Sequence, residues 1–215
     1  MQDIYERIRT GGVLPVVSFS SPEEAVPTCR ALEAGGIGAV EITFRTEAAA
    51  EAIYLVRQAL PGFLVGAGSL LTKDMTQTAI MAGAEFLVTP GFYAPIVEMA
   101  LDRGVPVFPG CSNASDLMSA SNYPLKIVKF FPAEALGGLT TLRALAAPFP
   151  KLSFMPTGGL TLDNFTDYLA YPRVFACGGS WLTKPAWLRD ENYEAVREAA
   201  RRTRERLDAF REAQA

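Results

Sequence analysis

LKIVKFFPA, residues 125–133, is an apolar run broken by two lysines and stopped by a proline. In an extended chain Ile127, Lys129 and Phe131 share one face while Val128 and Phe130 share the other, so both faces are apolar. Such continuity suits a strand covered on both sides, as in a parallel sheet; an antiparallel hairpin would alternate apolar and polar residues. Seven more runs of this kind flank it: VLPVVSF from Val13, GAVEITF from Gly38, FLVGAGSLL from Phe63, EFLVTPG from Glu85, VPVFPGC from Val105, LSFMPTGG from Leu152 and VFACGGSW from Val174. Their starts lie 20 to 27 residues apart, room for one strand and one helix each time.

The intervening stretches read as helices. PEEAVPTCRALEAGG closes on a glycine pair, TEAAAEAIYLVRQALPG carries apolar residues at three and four spacing, and SPEEA and TKDM supply Ser or Thr starts followed by acids. An N-terminal helix precedes the first run, and Asp190 to Ala215, rich in Ala, Glu and Arg, is expected to form the last one. Eight βα units with no linker, and no GxGxxG after the first strand, favour a single α/β domain over residues 1–215, a (β/α)8 TIM barrel, over an open doubly wound sheet.

The composition narrows the chemistry. Among 215 residues there is no histidine, which removes Ser-His-Asp and Cys-His nucleophiles, His-ligated metals and imidazole acid/base catalysis together. The formal charge is −3 and the pI near 5.2, which offers no basic face for a nucleic acid. Cys29, Cys111 and Cys177 are odd in number and form no CxxC, so they are expected as buried free thiols in a reducing cytoplasm. MQDIYERIRTGG lacks the apolar centre of a signal peptide, and no run reaches the roughly 18 apolar residues of a membrane helix.

In this fold ligands bind at the C-terminal ends of the strands, so a charge inside an apolar strand there marks a site. Lys129 and Glu41 qualify. Desolvation favours the neutral form of an amine, which is the form a nucleophile needs, and a carboxyl in an apolar mouth suits proton transfer. The alternative for Glu41 is a buried ion-pair partner of Lys129 and nothing more. Arg45, four residues on, has the planar fork for a carboxylate, although a solvated loop arginine fits the spacing as well. Lys126, at the start of the same strand as Lys129, needs only the snorkelling explanation.

Gly158 and Gly159 end the seventh run, and Gly178, Gly179 and Ser180 end the eighth, where such barrels bind phosphate through bare backbone amides. Ser69, Thr89, Pro90, Ser112 and Thr157 complete a rim of small polar groups with room for a small substrate. An amine nucleophile, an acid/base carboxylate, an arginine and a phosphate cradle together point to Schiff-base chemistry on a phosphorylated keto acid, with no metal and no organic cofactor. Phe130, Phe149, Tyr168, Trp181 and Trp187 are expected to pack rather than touch substrate.

EITFRTE, GAGSLL, TPGF, PGCS, KFFPAE, PTGGL and GGSWL, in this order, resemble the bacterial 2-keto-3-deoxy-6-phosphogluconate (KDPG) and 4-hydroxy-2-oxoglutarate (KHG) aldolases over nearly the whole chain. The resemblance implies a class I aldolase of the Entner-Doudoroff pathway that yields pyruvate and glyceraldehyde 3-phosphate, in a cytoplasmic homotrimer. It assigns the imine to Lys129, proton transfer to Glu41, the substrate carboxylate to Arg45 and Ser69, and pocket positions to Pro90 and Phe131. Phosphate contacts fall on Gly158, Gly159, Gly179 and Ser180. Two departures stand out: Ser69 where the family pattern has Thr, and VVSFSS after the first run where many relatives carry a basic residue. Other readings are the same chemistry on the galactonate epimer or on unphosphorylated KHG, a phosphosugar isomerase or epimerase, and a non-catalytic phosphate-ligand binder.

Overall fold

The computed structural model describes residues 2–214. Among these are nine strands. β1 Val13–Val17, β2 Ala39–Thr43, β3 Leu64–Gly68 and β4 Phe86–Val88 lead to β5 Val107–Phe108, β6 Gly110–Cys111, β7 Ile127–Phe130, β8 Ser153–Pro156 and β9 Cys177–Gly179. All ladders are parallel. Each apolar run therefore becomes a strand, and the fifth becomes two, because Pro109 has no N–H to donate. Its carbonyl still accepts from the Lys129 N–H at 2.9 Å, so the chain stays aligned with β7 through the gap.

The ladders run β5-β4-β3-β2-β1-β9 in one sheet and β6-β7-β8 in another. Bridges from Phe154 to Val174, ahead of β9, and from Thr157 to Gly178, within β9, tie the free edge of β8 to that strand. The result is an α/β fold whose parallel strands form a curled sheet, as expected; the junction at Pro109 and the single bridges at β8 are its weakest lateral contacts.

The helices are α1 Gln2–Gly11, α2 Ala25–Ala34, α3 Ala49–Ala59, α4 Lys73–Met81, α5 Ala94–Asp102 and α6 Ala114–Ser121, then α7 Gly138–Ala146, α8 Phe165–Leu169, α9 Pro185–Arg189 and α10 Tyr193–Glu212. The Thr72 hydroxyl caps α4 by accepting from the Met75 N–H at 3.1 Å. Ser21 makes no such bond; a single 3-10 turn, Pro22–Glu24, precedes α2 instead. The last helix starts at Tyr193 rather than Asp190, because the Asn192 side chain accepts from the Ala195 N–H at 3.1 Å and sets its first turn.

Strand alternation divides the core in two. One cluster, which includes Val40, Ile42, Val65 and Val128, packs outward against the helices. The other lies inside the curl: Leu14, Ala39, Leu64, Phe86, Phe108, Ile127, Met155 and Ala176, met from below by Ile8 of α1. At roughly 1.5–3 kcal/mol per fully buried large apolar side chain, this inner plug is a rigid floor. One strand layer above it, on β2 and β7, the apolar pattern is broken by Glu41 and Lys129.

Candidate active site

Glu41 follows Ala39 on the inner face of β2, and Lys129 follows Ile127 on the inner face of β7. Their side chains meet across the curl, Lys129 Nζ donating to Glu41 Oε1 at 3.2 Å. Glu41 is 0% exposed and Lys129 5%. The second carboxylate oxygen, Oε2, is buried with no hydrogen-bond partner. A buried, half-satisfied carboxylate is expensive for a purely structural ion pair, and its open lone pairs suit it to receive a proton. The Lys129 ammonium also lies 5.3 Å from the Phe131 ring centroid.

The carboxylate is placed by a missing side chain. A Cβ on Gly68 would come within 2.0 Å of Glu41 Oε1, so β3 yields this space only as glycine. Gly68 is the register partner of Thr43, and the carboxylate thus reaches the layer above its own backbone.

The mouth above the pair opens into a cavity of about 400 Å³. Thr43, directly above Glu41, and Phe131, directly above Lys129, line it, together with Arg45, Thr157, Gly158, Gly159, Gly179 and Ser180. Arg45, exposed in the turn after β2, donates from Nε to Ser69 Oγ at 3.1 Å. Ser69 sits at φ +56°, a left-handed conformation that a β-branched residue would enter at higher cost. Gly158 and Gly159 follow β8 at φ +99° and +83°. Two successive residues at positive φ bend the chain sharply at the cavity wall and leave bare backbone there, with no side chain between it and a ligand.

Several expected residues lie back from the cavity. Gly178 is buried inside β9, paired with Leu14 of β1 and bridged to Thr157, so the cavity wall from this strand is Gly179 and Ser180. Pro90, two residues past β4, lies outside the lining, as do Ser69 and the buried Lys129–Glu41 pair itself. The Thr89 hydroxyl beside it accepts from the Gly110 N–H at 3.2 Å and donates to the Gly91 carbonyl at 2.6 Å, which braces that turn.

The aromatics behave as packing. Phe130 and Tyr168 are buried, and Trp181 stacks on Phe165 at 5.7 Å with its Nε1 donating to Thr203 at 3.0 Å. Tyr168 additionally donates to Glu134, whose side chain packs against Gly159; burial, then that carboxylate, raises the Tyr168 hydroxyl well above the usual tyrosine range. The three cysteines are free and buried, and burial pushes the Cys111 thiol up to about 12.

Sequence reasoning did not single out Ser18, Thr43 or Thr183, all on the cavity wall. Thr43 carried a signal, the same face as Glu41 two residues on, whereas Ser18 and Thr183 meet the site only through their neighbours in space.

A parallel α/β fold with a buried amine–carboxylate pair beneath a cavity at its strand C-termini defines the equipment of an imine-forming enzyme. The KDPG and KHG aldolase family model matches residues 4–199, and the chain belongs to that family. It is 47% identical over 182 residues to a 2-dehydro-3-deoxy-phosphogluconate aldolase of Treponema pallidum, covering 85% of this chain and 87% of the relative. Among solved structures, a KDPG aldolase from Legionella pneumophila with pyruvate captured as a covalent carbinolamine superposes with a TM-score of 0.88 at 33% identity, covering 92% of this chain and 96% of that one. The KDPG aldolase of Zymomonas mobilis with 3-phosphoglycerate gives a TM-score of 0.86 at 36% identity, over 94% and 95% of the two chains.

Proposed function

We propose that this protein is a class I aldolase that cleaves 2-keto-3-deoxy-6-phosphogluconate to pyruvate and glyceraldehyde 3-phosphate in the Entner-Doudoroff pathway. The observation that carries the reading is the buried 3.2 Å Lys129–Glu41 pair beneath a cavity with Arg45 on one wall and the glycine turns on another. Family membership and the carbinolamine seen in the Legionella relative support it.

The neutral Lys129 amine attacks C2 of the keto acid to give a carbinolamine, and Glu41 moves the protons that let water leave as the imine forms. Glu41 then takes the C4 hydroxyl proton, directly or through one water. The C3–C4 bond breaks, its electron pair flows into the protonated imine, and the aldehyde phosphate departs from the resulting enamine. Protonation at C3 and hydrolysis release pyruvate and restore the amine. The imine is the electron sink, so the reaction calls for no metal ion and no organic cofactor.

Arg45 and Ser69 hold the C1 carboxylate so that the breaking bond stands perpendicular to the imine plane. Phe131, Pro90 and Thr157 wall the pocket, and the amides of Gly158, Gly159 and Gly179 with Ser180 hold the phosphate, with Gly178 supporting them from β9. KHG is a second substrate in this reading, since the amine, carboxylate and arginine serve it equally. We take residues 1–215 as one domain, with the split at Pro109 and the bridges at β8 as the seams of one closed (β/α)8 barrel, and the protein as a cytoplasmic homotrimer without nucleic-acid or membrane partners.

Borohydride reduction in the presence of pyruvate tests the mechanism. The reduced adduct is expected on the peptide containing Lys129 and absent in Lys129→Ala, with turnover insensitive to EDTA. Trapping that survives Lys129→Ala, or EDTA-sensitive turnover, would remove the Schiff-base reading.

A further inference from the structure

Ser18 stands between the two ends of the cavity. In the ladder order β3-β2-β1-β9, the Arg45–Ser69 contact lies at β2 and β3, and the glycine turns lie at β9 and β8. β1 is between them. Its register with β2 pairs Val16 with Glu41 and Val17 with Ile42, which carries Ser18 beside Thr43 in the layer the Glu41 carboxylate reaches. Adjacent strands are about 4.8 Å apart, so a chain that passes from the acid/base carboxylate to the glycine turns crosses Ser18 on its way.

The hydroxyl accounting gives Ser18 a definite polarity. Thr43 Oγ1 donates its single proton to the Val17 carbonyl at 3.0 Å. Thr43 is 1% exposed and also hydrogen-bonded to Ser18 Oγ, so in that contact Ser18 is the donor. With its proton committed, Ser18 turns lone pairs to the cavity it lines and acts there as an acceptor. Arg45, the charged side chain in the lining, donates to Ser69 on the far side of Thr43 from it.

We infer that Ser18 is a specificity-determining residue that accepts a hydrogen bond from the hydroxyl on the carbon between the cleaved bond's aldehyde carbon and the phosphate-bearing carbon. This is C5 of the keto acid and C2 of the released aldehyde. The inference rests on the aldolase reading of the same cavity. Glu41 is engaged with the C4 hydroxyl, and the next hydroxyl toward the phosphate end has Ser18 as its neighbour on β1. Thr43 is a positioning residue: it orients the Ser18 proton away from the substrate.

The test runs the reaction in the synthetic direction, with pyruvate and either D-glyceraldehyde 3-phosphate or 3-oxopropyl phosphate, which lacks the hydroxyl. The ratio of kcat/KM for the hydroxylated aldehyde over the deoxy aldehyde is expected to fall about tenfold in Ser18→Ala, as for loss of one hydrogen bond at a half-buried cavity wall. Ser18→Thr keeps the hydroxyl and is expected to hold the ratio within about threefold of the parent. A ratio unmoved in Ser18→Ala, or both aldehydes losing equally, would overturn the inference, because a wall residue without a hydroxyl contact does not discriminate between them. Borohydride trapping of pyruvate on the unmodified protein separates the two claims. An adduct together with an unmoved ratio refutes the role of Ser18 alone, whereas a missing adduct refutes the aldolase reading and this inference with it.

Discussion

Gly68→Ala is the smallest change that tests whether the carboxylate must stand where it does. The added Cβ would lie 2.0 Å from Glu41 Oε1 and 2.5 Å from its Cδ and Cγ. Clearing the overlap alone moves the carboxylate by about 1 Å, to the shortest separation that side chains tolerate. Lys129 lies at 3.2 Å on that oxygen, so the pair stretches past hydrogen-bonding range. With an effective dielectric of about 20, opening the pair from 3.2 Å to about 4.2 Å forfeits about 1 kcal/mol, and loss of the charged hydrogen bond adds about 1.5–3 kcal/mol. The sum, about 2.5–4 kcal/mol, corresponds to a fall in kcat/KM of about two to three powers of ten, and a 1 Å misplacement at a reacting centre by itself costs about one hundredfold. Overpacking costs about 1–3 kcal/mol of stability, a drop of several degrees in Tm for a chain of this size, so the fold survives. Steady-state kinetics on the phosphorylated keto acid, with Tm and far-UV circular dichroism in parallel, measure both effects. Activity within twofold of the parent, in a variant whose circular dichroism shows it folded, would show that the carboxylate position is not what sets the rate.

Two further outcomes follow from the same geometry. Gly159→Ala puts a side chain at φ +83° and its Cβ 2.5 Å from Glu134 Cβ, so the turn must shift; kcat/KM on the phosphorylated substrate should fall about tenfold more than on KHG. In the native protein Cys29, Cys111 and Cys177 should resist iodoacetamide at pH 8. With its pKa pushed up to about 12, Cys111 presents about one thiolate in ten thousand at that pH, and mass spectrometry should find three labels only after denaturation.

The parts of the site that were legible in the sequence are the ones a local pattern betrays. Lys129 and Glu41 stand out because a charge in the middle of an apolar strand has no cheap structural reason to be there. The paired glycines after β8 are legible because only glycine enters two left-handed turns in succession without strain. The division at Pro109 was harder to read. Proline removes one ladder donor, but its carbonyl keeps its bond to β7, and neither consequence appears until the neighbouring strands are known. Gly178 shows the limit of reading a motif by spacing: one residue along a strand separates a backbone locked between β1 and Thr157 from the cavity wall that begins at Gly179.

By itself, the sequence determined the parallel βα repeat, the family to which the chain belongs, the absence of imidazole chemistry and the presence of one amine and one carboxylate inside apolar strands. These depend on composition and on alternation along a single strand, which is a local property. The tertiary structure alone decided that Gly68 makes room for the Glu41 carboxylate, that Arg45 leans on Ser69, and that Ser18 and Thr43 form one polarised hydroxyl pair between the ends of the cavity. Those relations are lateral. They depend on which strands are neighbours and in what register, and hydrogen bonds across the sheet fix that order only when the whole chain has closed around its core.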